Sequence, residues 1–210
     1  MKLTDLILEL PGFMPAEDCE DTINWFWTNQ NLHYDGGVGN GEVDFSHKKA
    51  TQIHPEIGSD RWCQISIEVD RAIKEYFKQK QLGWRAPLVS YTYSVRCYKQ
   101  NDGWFNEHVD VSPSDPLLLS RLYAIIIYLD TVDVGGETEF PYLNYKCKPE
   151  QGKLLMFPCN HLYPHKGNIP ISSGKHVITA FVCCDIDAPH LRNQLHPNQM
   201  HGNVYADLKR

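Results

Sequence analysis

Trp104-Phe105-Asn106-Glu107-His108-Val109-Asp110 is followed, after a connection over 111–120, by Arg121-Leu122-Tyr123-Ala124-Ile125-Ile126-Ile127-Tyr128-Leu129. The first run, over 104–111, predicts a strand in which positions i and i+2 share a face. The second is a continuous apolar run bounded by turn residues, which suits a strand buried on both sides. Working outward, the β texture begins at Leu88. It includes Val89-Ser90-Tyr91-Thr92-Tyr93-Ser94-Val95 and resumes at 137–140, 153–157 and 175–184. Asn101-Asp102-Gly103, Gly135-Gly136 and Ser172-Ser173-Gly174 punctuate these segments as turns.

The N-terminal half has a different period. Residues 3–9 predict a short strand. Phe13 to Asn29 predicts a helix with Pro15 near its first turn and Cys19, Ile23, Phe26 and Trp27 as its apolar stripe. Ser59 is placed to cap a second helix, along which Trp62, Ile65, Val69, Ile73 and Tyr76 recur up to about Lys78. Between them, 31–58 is Gly-rich and almost without pattern, which predicts a lid, a binding loop or disorder. Helices followed by many short strands predict an α+β fold, a double-sheet jelly roll supported by the N-terminal helices. A single domain over 1–210 is expected, with helical support over about 13–80, the core over about 88–184 and a polar tail over 186–210. His190, His196 and His201 belong to that tail and are expected to be solvated.

The chain has 210 residues, of which 42% are hydrophobic and 22% charged, which suits a packed soluble core. A net charge of −6 without a Lys/Arg run argues against binding to nucleic acid through phosphate contacts. The N-terminus is interrupted by Asp5 and Glu9 and reads as a strand rather than a signal peptide. No window offers the roughly 18 apolar residues of a spanning helix, so no membrane partner is expected. Seven cysteines without zinc-ribbon spacing read as reduced thiols, which predicts a cytoplasmic location.

His108 and Asp110 could aim a nitrogen and an oxygen at one point, and His165, on a neighbouring strand, could add a second nitrogen. Two histidines and a carboxylate with the other positions open suit non-haem Fe(II) holding a cosubstrate and oxygen. A His-x-Asp pair alone arises by chance roughly once in such a chain. A second copy, His33-Tyr34-Asp35, runs into Gly36-Gly37 and reads as a loop without ligand function. His161 competes with His165 for the third position. Lys175 would be costly to bury without an anion, and a cosubstrate carboxylate would supply one. A zinc hydrolase would use the same donors. It would give Lys175 no role, however, and the chain has no His-Glu-x-x-His helix.

The second half resembles the prolyl 4-hydroxylase-like branch of the Fe(II)/2-oxoglutarate dioxygenases. Tyr98 stands ten residues before His108-Val109-Asp110, and the strand 121–130 follows. Next come Gly135-Gly136-Glu137-Thr138-Glu139-Phe140-Pro141 and Gly152-Lys153-Leu154-Leu155-Met156-Phe157-Pro158. His165 then follows Tyr163-Pro164 and stands ten residues before Lys175. Leu10-Pro11-Gly12-Phe13-Met14-Pro15 is similar to the start of that branch's first helix. The resemblance implies a double-stranded β-helix core in which His108, Asp110 and His165 hold Fe(II). It also implies that Lys175 pairs with the distal carboxylate of 2-oxoglutarate, with Tyr98, Tyr128 and Thr179 around it. Ala124 departs from the threonine of many relatives. The expected reaction consumes 2-oxoglutarate and O2, with ascorbate as reductant, and hydroxylates a prolyl residue of a peptide or protein, or a small molecule. Asp110 favours hydroxylation over halogenation, which needs that position vacant. The alternative is a non-enzymatic peptide-binding or oxygen-sensing module on the same scaffold.

Overall fold

The computed structural model describes residues 2–38, 42–82, 88–90, 93–113 and 116–184. The expected strand positions Tyr91 and Thr92 and the tail 186–210 lie outside the described residues. In chain order the elements are β1 (Leu8–Leu10), α1 (Ala16–Thr28), β2 (Tyr34–Asp35), β3 (Lys48–Lys49), β4 (Thr51–Ile53) and α2 (Asp60–Lys80). There follow β5 (Leu88–Ser90), β6 (Ser94–Tyr98), β7 (Trp104–His108), α3 (Pro116–Leu119), β8 (Arg121–Tyr128), β9 (Thr138–Phe140) and β10 (Tyr145–Cys147). The last three are β11 (Leu154–Pro158), β12 (His165–Gly167) and β13 (Lys175–Cys184).

Two antiparallel sheets face each other. The larger runs β1-β11-β8-β13-β6-β4-β2, with β5 added beside β13, and the smaller runs β10-β9-β12-β7-β3. The larger sheet separates two apolar clusters, and the period-2 alternation of β8 and β13 decides which side chain joins which. Ile125, Ile127, Ile178, Ala180 and Val182 point to α1 and α2, where they meet Phe26, Ile65, Val69, Ile73 and Tyr76. Ala124, Tyr128, Val177 and Phe181 point between the sheets and meet Phe140, Phe157 and Tyr163. The continuous apolar reading of 121–129 follows from this double burial.

α2 begins as expected: the Trp62 backbone N–H donates to Ser59 Oγ at 3.2 Å. Three expectations need correction. Residues 3–9 are not one strand. A 3-10 turn over Leu3–Leu6, closed by Lys2 N donating to Asp5 at 2.7 Å, precedes β1. Residues 31–58 are not without structure, and so the span 13–80 is not helical support throughout. β3 joins β7 in the smaller sheet, while β4 joins β6 in the larger, so the chain turns a corner at Ala50. Strands of two or three residues are too short to write an alternation in sequence; they are held by backbone pairing to longer neighbours. Trp27 does not belong to the buried stripe of α1, since it is 43% exposed and Thr22 takes the inward place.

His176, next to Lys175 on β13, faces the opposite way, towards α1, where it is buried against Phe26 and Trp27. Its Nδ1 lies 2.6 Å from Asp130 Oδ2, and its backbone N–H donates to Asp130 Oδ1 at 2.8 Å. Burial alone would lower this imidazole, but the Asp130 carboxylate lifts it to about 9. Because the folded value lies above the unfolded one, the pair stabilises fully below about pH 6.5 and loses its effect as pH rises through about 9. Asp130→Asn is therefore expected to cost roughly 2–3 kcal/mol near pH 6 and progressively less towards pH 9 and above. Thermal unfolding of both proteins across that range measures it.

Gly152 fixes the approach of the N-terminal segment to the sheet. Its φ is +75°, and a Cβ there would lie 2.2 Å from the Met14 carbonyl oxygen. Met14 N donates to Gly152 O at 2.9 Å, and Gly152 N to Tyr128 O at 2.8 Å. Gly152→Ala is expected to cost at least about 2 kcal/mol, a loss of roughly 4–8 °C in Tm for a chain of this length.

Candidate active site

β12 lies between β9 and β7, and its antiparallel register sets His165 directly opposite His108. β7 ends at His108, so Asp110 is not the i+2 member of a strand as the sequence reading had it. It stands in the bend beyond the strand end, where the Arg121 guanidinium donates to its backbone carbonyl at 3.1 Å. The bend still returns its carboxylate to the two rings. Asp110 Oδ1 is 3.6 Å from His108 Nε2, and Oδ2 is 3.6 Å from His165 Nε2. One ligand atom from each of the three residues lies within 4.8 Å of the others. Among the described residues this is the single group of three such side chains able to hold a metal ion.

The ring nitrogens are assigned by their other contacts. Nδ1 of His108 faces the Asn106 carbonyl at 2.7 Å, and Nδ1 of His165 faces that of Tyr163 at 3.2 Å. A carbonyl only accepts, so each Nδ1 carries the proton and each Nε2 presents a lone pair towards Asp110. Phe105 stacks on His108 with centroids 3.5 Å apart, and Phe157 and Phe140 flank His165. Burial, and then His108, push His165 down to about 4, which keeps it a neutral donor at ordinary pH. Asp110 is buried, which opposes its ionisation, yet the two imidazoles and Arg121 hold its carboxyl well below the usual range. Its Oδ2 is buried with no hydrogen-bond partner. Two bare imidazole nitrogens and an orphaned carboxylate oxygen facing one point fit a divalent metal. His161, the competitor for the third position, is exposed and outside this group. His33 is engaged elsewhere, with Nε2 donating to Phe26 O at 2.8 Å, and Tyr34–Asp35 forms β2 rather than loop.

Beyond the three ligand candidates a slot of about 50 Å3 runs between the sheets, lined by Tyr98, Tyr128, Thr138, Lys175 and Thr179. Lys175 is 2% exposed. Its Nζ donates to Gly136 O at 2.7 Å and lies 4.7 Å from the centre of the Tyr98 ring. Burial pushes the ammonium down to about 8. It forms no ion pair among the described residues, so it has donors to spare for an anion in the slot. Tyr128 shares a 2.6 Å hydrogen bond with Thr138, and Thr179 one of 2.6 Å with Ser94. Tyr128, Thr138 and Thr179 line the same slot as Lys175, and Thr179 shares its face of β13.

A second, wider cavity of about 340 Å3 opens on the other side of His108 and Asp110. Lys48, Arg96 and Arg121 line it, and the sequence reading named none of them as site residues. Arg96 was legible: it is two positions before Tyr98 on β6, hence on the same face. Lys48 gave no signal, because β3 is only two residues long.

Residues 93–183 match the family model described as the 2OG-Fe(II) oxygenase superfamily. No curated protein matches the chain. Among solved structures, the chain is similar to a prolyl hydroxylase of Trichoplax adhaerens, in complex with a hypoxia inducible factor oxygen degradation domain peptide fragment. The TM-score is 0.68 at 17% identity, covering 87% of this chain and 85% of that one. It is also similar to a Pseudomonas putida prolyl-4-hydroxylase (TM-score 0.66, 17% identity, 84% and 92% covered). A third similar structure is the viral collagen prolyl hydroxylase of Paramecium bursaria Chlorella virus-1 in its 2OG complex (0.64, 19%, 85% and 96%). At these identities the structural likeness shows the fold, the double-sheet jelly roll with helical support. The family match spans every candidate ligand and slot residue, from Tyr98 to Thr179, and with the geometry of the site it identifies residues 93–183 as the core of a 2-oxoglutarate-dependent dioxygenase.

Proposed function

We propose that this dioxygenase hydroxylates a prolyl residue of a peptide or protein, releasing succinate and CO2, with ascorbate as reductant. The observation that carries the reading is the meeting of two cavities at His108 and Asp110, one narrow and ending on a buried lysine, the other wide and open to a substrate. Similar structures are prolyl hydroxylases, one of them holding a peptide. We further propose that the chain works as one domain in a reducing, cytoplasmic setting. The seven cysteines are all free thiols, which supports the latter.

His108 Nε2, Asp110 and His165 Nε2 would hold Fe(II), which together with 2-oxoglutarate and O2 supplies the oxidation of the C–H bond. The chain's own work is placement. The Nδ1–H groups, fixed on backbone carbonyls, keep both lone pairs turned to one point without rearrangement. Lys175 would anchor the distal carboxylate of the cosubstrate by a charge-assisted hydrogen bond and so set its reach towards the ligand triad. Tyr98, Tyr128 and Thr179 would complete its polar walls. Phe105, Phe157 and Val177 line the same slot and exclude water from it.

The test incubates the protein with Fe(II), ascorbate, 2-oxoglutarate and a panel of proline-containing peptides. Mass spectrometry should find one oxygen gained on proline for each succinate formed above background. Succinate formation with no oxygen on any prolyl residue would leave a dioxygenase of another substrate.

A further inference from the structure

Three cations from three separate strands converge on the wide cavity: Lys48 of β3, Arg96 of β6 and Arg121 of β8. Among the described residues lining it, Asp110 is the single carboxylate, and Asp110 belongs to the metal site. Their contacts are with neutral groups, and burial, then Arg96, push Lys48 down to about 6, so an anion has to join it to keep it charged at neutral pH. Lys48, 2% exposed, donates to Gly37 O and Gln52 Oε1, both at 3.2 Å, with Phe105 beneath it. Arg121 lies 3.6 Å above the Phe181 ring and donates to the Asp110 backbone carbonyl. Arg96 has a buried Nε with no partner. Burying like charges against aromatic faces and carbonyls is unfavourable unless a mobile anion completes the arrangement.

That anion need not be the cosubstrate. Lys175 and Thr138 line only the inner slot, and Lys48 and Arg121 line only the outer cavity. Arg96 borders both, beside His108 and Asp110. A charge held by Lys48 and the two guanidiniums therefore sits on the substrate side of the metal site, close to the carbon that is oxidised.

We propose that the substrate carries a carboxylate in the neighbourhood of the hydroxylated ring, and that Lys48, Arg96 and Arg121 bind it and select for it. The inference deepens the proposed prolyl reading by naming what must accompany the ring. Planar guanidinium forks match a carboxylate in two-point contact, and Lys48 adds a point charge from the opposite wall. The carboxylate could be the α-carboxylate of proline itself or the side chain of an acidic neighbour in a peptide.

The experiment measures equilibrium binding by calorimetry to protein loaded with Mn(II) and N-oxalylglycine, which fills the inner slot without turnover. The probes form two pairs: L-proline against L-prolinamide, and N-acetyl-Glu-Pro-amide against N-acetyl-Gln-Pro-amide. In at least one pair the charged member should bind about 10- to 100-fold more tightly. Preference in the first pair identifies an α-carboxylate and preference in the second an acidic side chain. Lys48→Gln and Arg96→Gln should each reduce that preference to about threefold or less, and Lys48→Arg should restore most of it. Equal binding within both pairs, binding of no probe, or preference unchanged in the Gln variants would overturn the proposal. Selective binding of a charged probe that then gains no oxygen with Fe(II) and 2-oxoglutarate would instead remove the prolyl reading and leave the anion site standing.

Discussion

His165→Ala is expected to lower succinate formation by about 10^3-fold or more and to take the bound metal with it. The imidazole supplies one of three donors, and a neutral nitrogen with a fixed tautomer has no replacement nearby: the competing imidazole, on His161, is solvent-exposed. A loss of that size is about 4 kcal/mol of transition-state stabilisation. The same substitution opens a gap between Phe140 and Phe157, so a modest fall in Tm should accompany it. Circular dichroism and metal analysis separate the two effects. His161→Ala, by contrast, should leave succinate formation within about twofold of wild type. A His165→Ala protein that is folded and turns over at the wild-type rate would remove the site assignment.

Lys175→Met should move function and stability in opposite directions. The buried ammonium costs the folded state hydration that one carbonyl and an aromatic face do not return. Burial depresses its folded value to about 8. Against an unfolded lysine near 10.4, that means the charge destabilises the fold most below about pH 8, and the penalty fades as pH rises through the window between the two values. Methionine fills a similar volume without the charge, so the protein free of cosubstrate should gain roughly 1–3 kcal/mol at neutral pH. The apparent KM for 2-oxoglutarate should nevertheless rise about 100-fold or more, because the carboxylate would enter the slot with no cation to meet it. Thermal unfolding without cosubstrate and a cosubstrate titration read the two halves. A variant less stable than wild type and unchanged in KM would show that Lys175 serves the fold.

What was legible in the sequence was whatever the physics writes with a period. β8 and β13 were readable because each separates two apolar clusters, so neither face tolerates charge without a reason. Ser59 and the α2 stripe were readable because a cap and a 3.6-residue apolar period are local signals. The convergence of His108 and Asp110 was read from a two-residue spacing on a strand, yet the strand ends at His108 and a bend delivers the carboxylate. The spacing gave a correct pairing for an incorrect geometric reason. The corner formed by β3 and β4 left no trace, since its register is set by β7 and β6 through backbone hydrogen bonds. Lys48 was therefore out of reach. Trp27 was misplaced because an aromatic on the edge of a helical stripe can lie over its neighbours and stay wet.

β13 sets a constraint on how this chain can vary. Consecutive positions serve unrelated tasks: Lys175 addresses the slot, and His176 is locked to Asp130 beneath α1. Removing or adding one residue in Ser172-Ser173-Gly174 would shift the frame of the strand and exchange their surroundings, stranding an ammonium under the helix and an imidazole where the cosubstrate belongs. Length changes are thus barred from this connection between the two sheets even though it lies on the surface, and diversification among relatives should concentrate instead in the segment before α2.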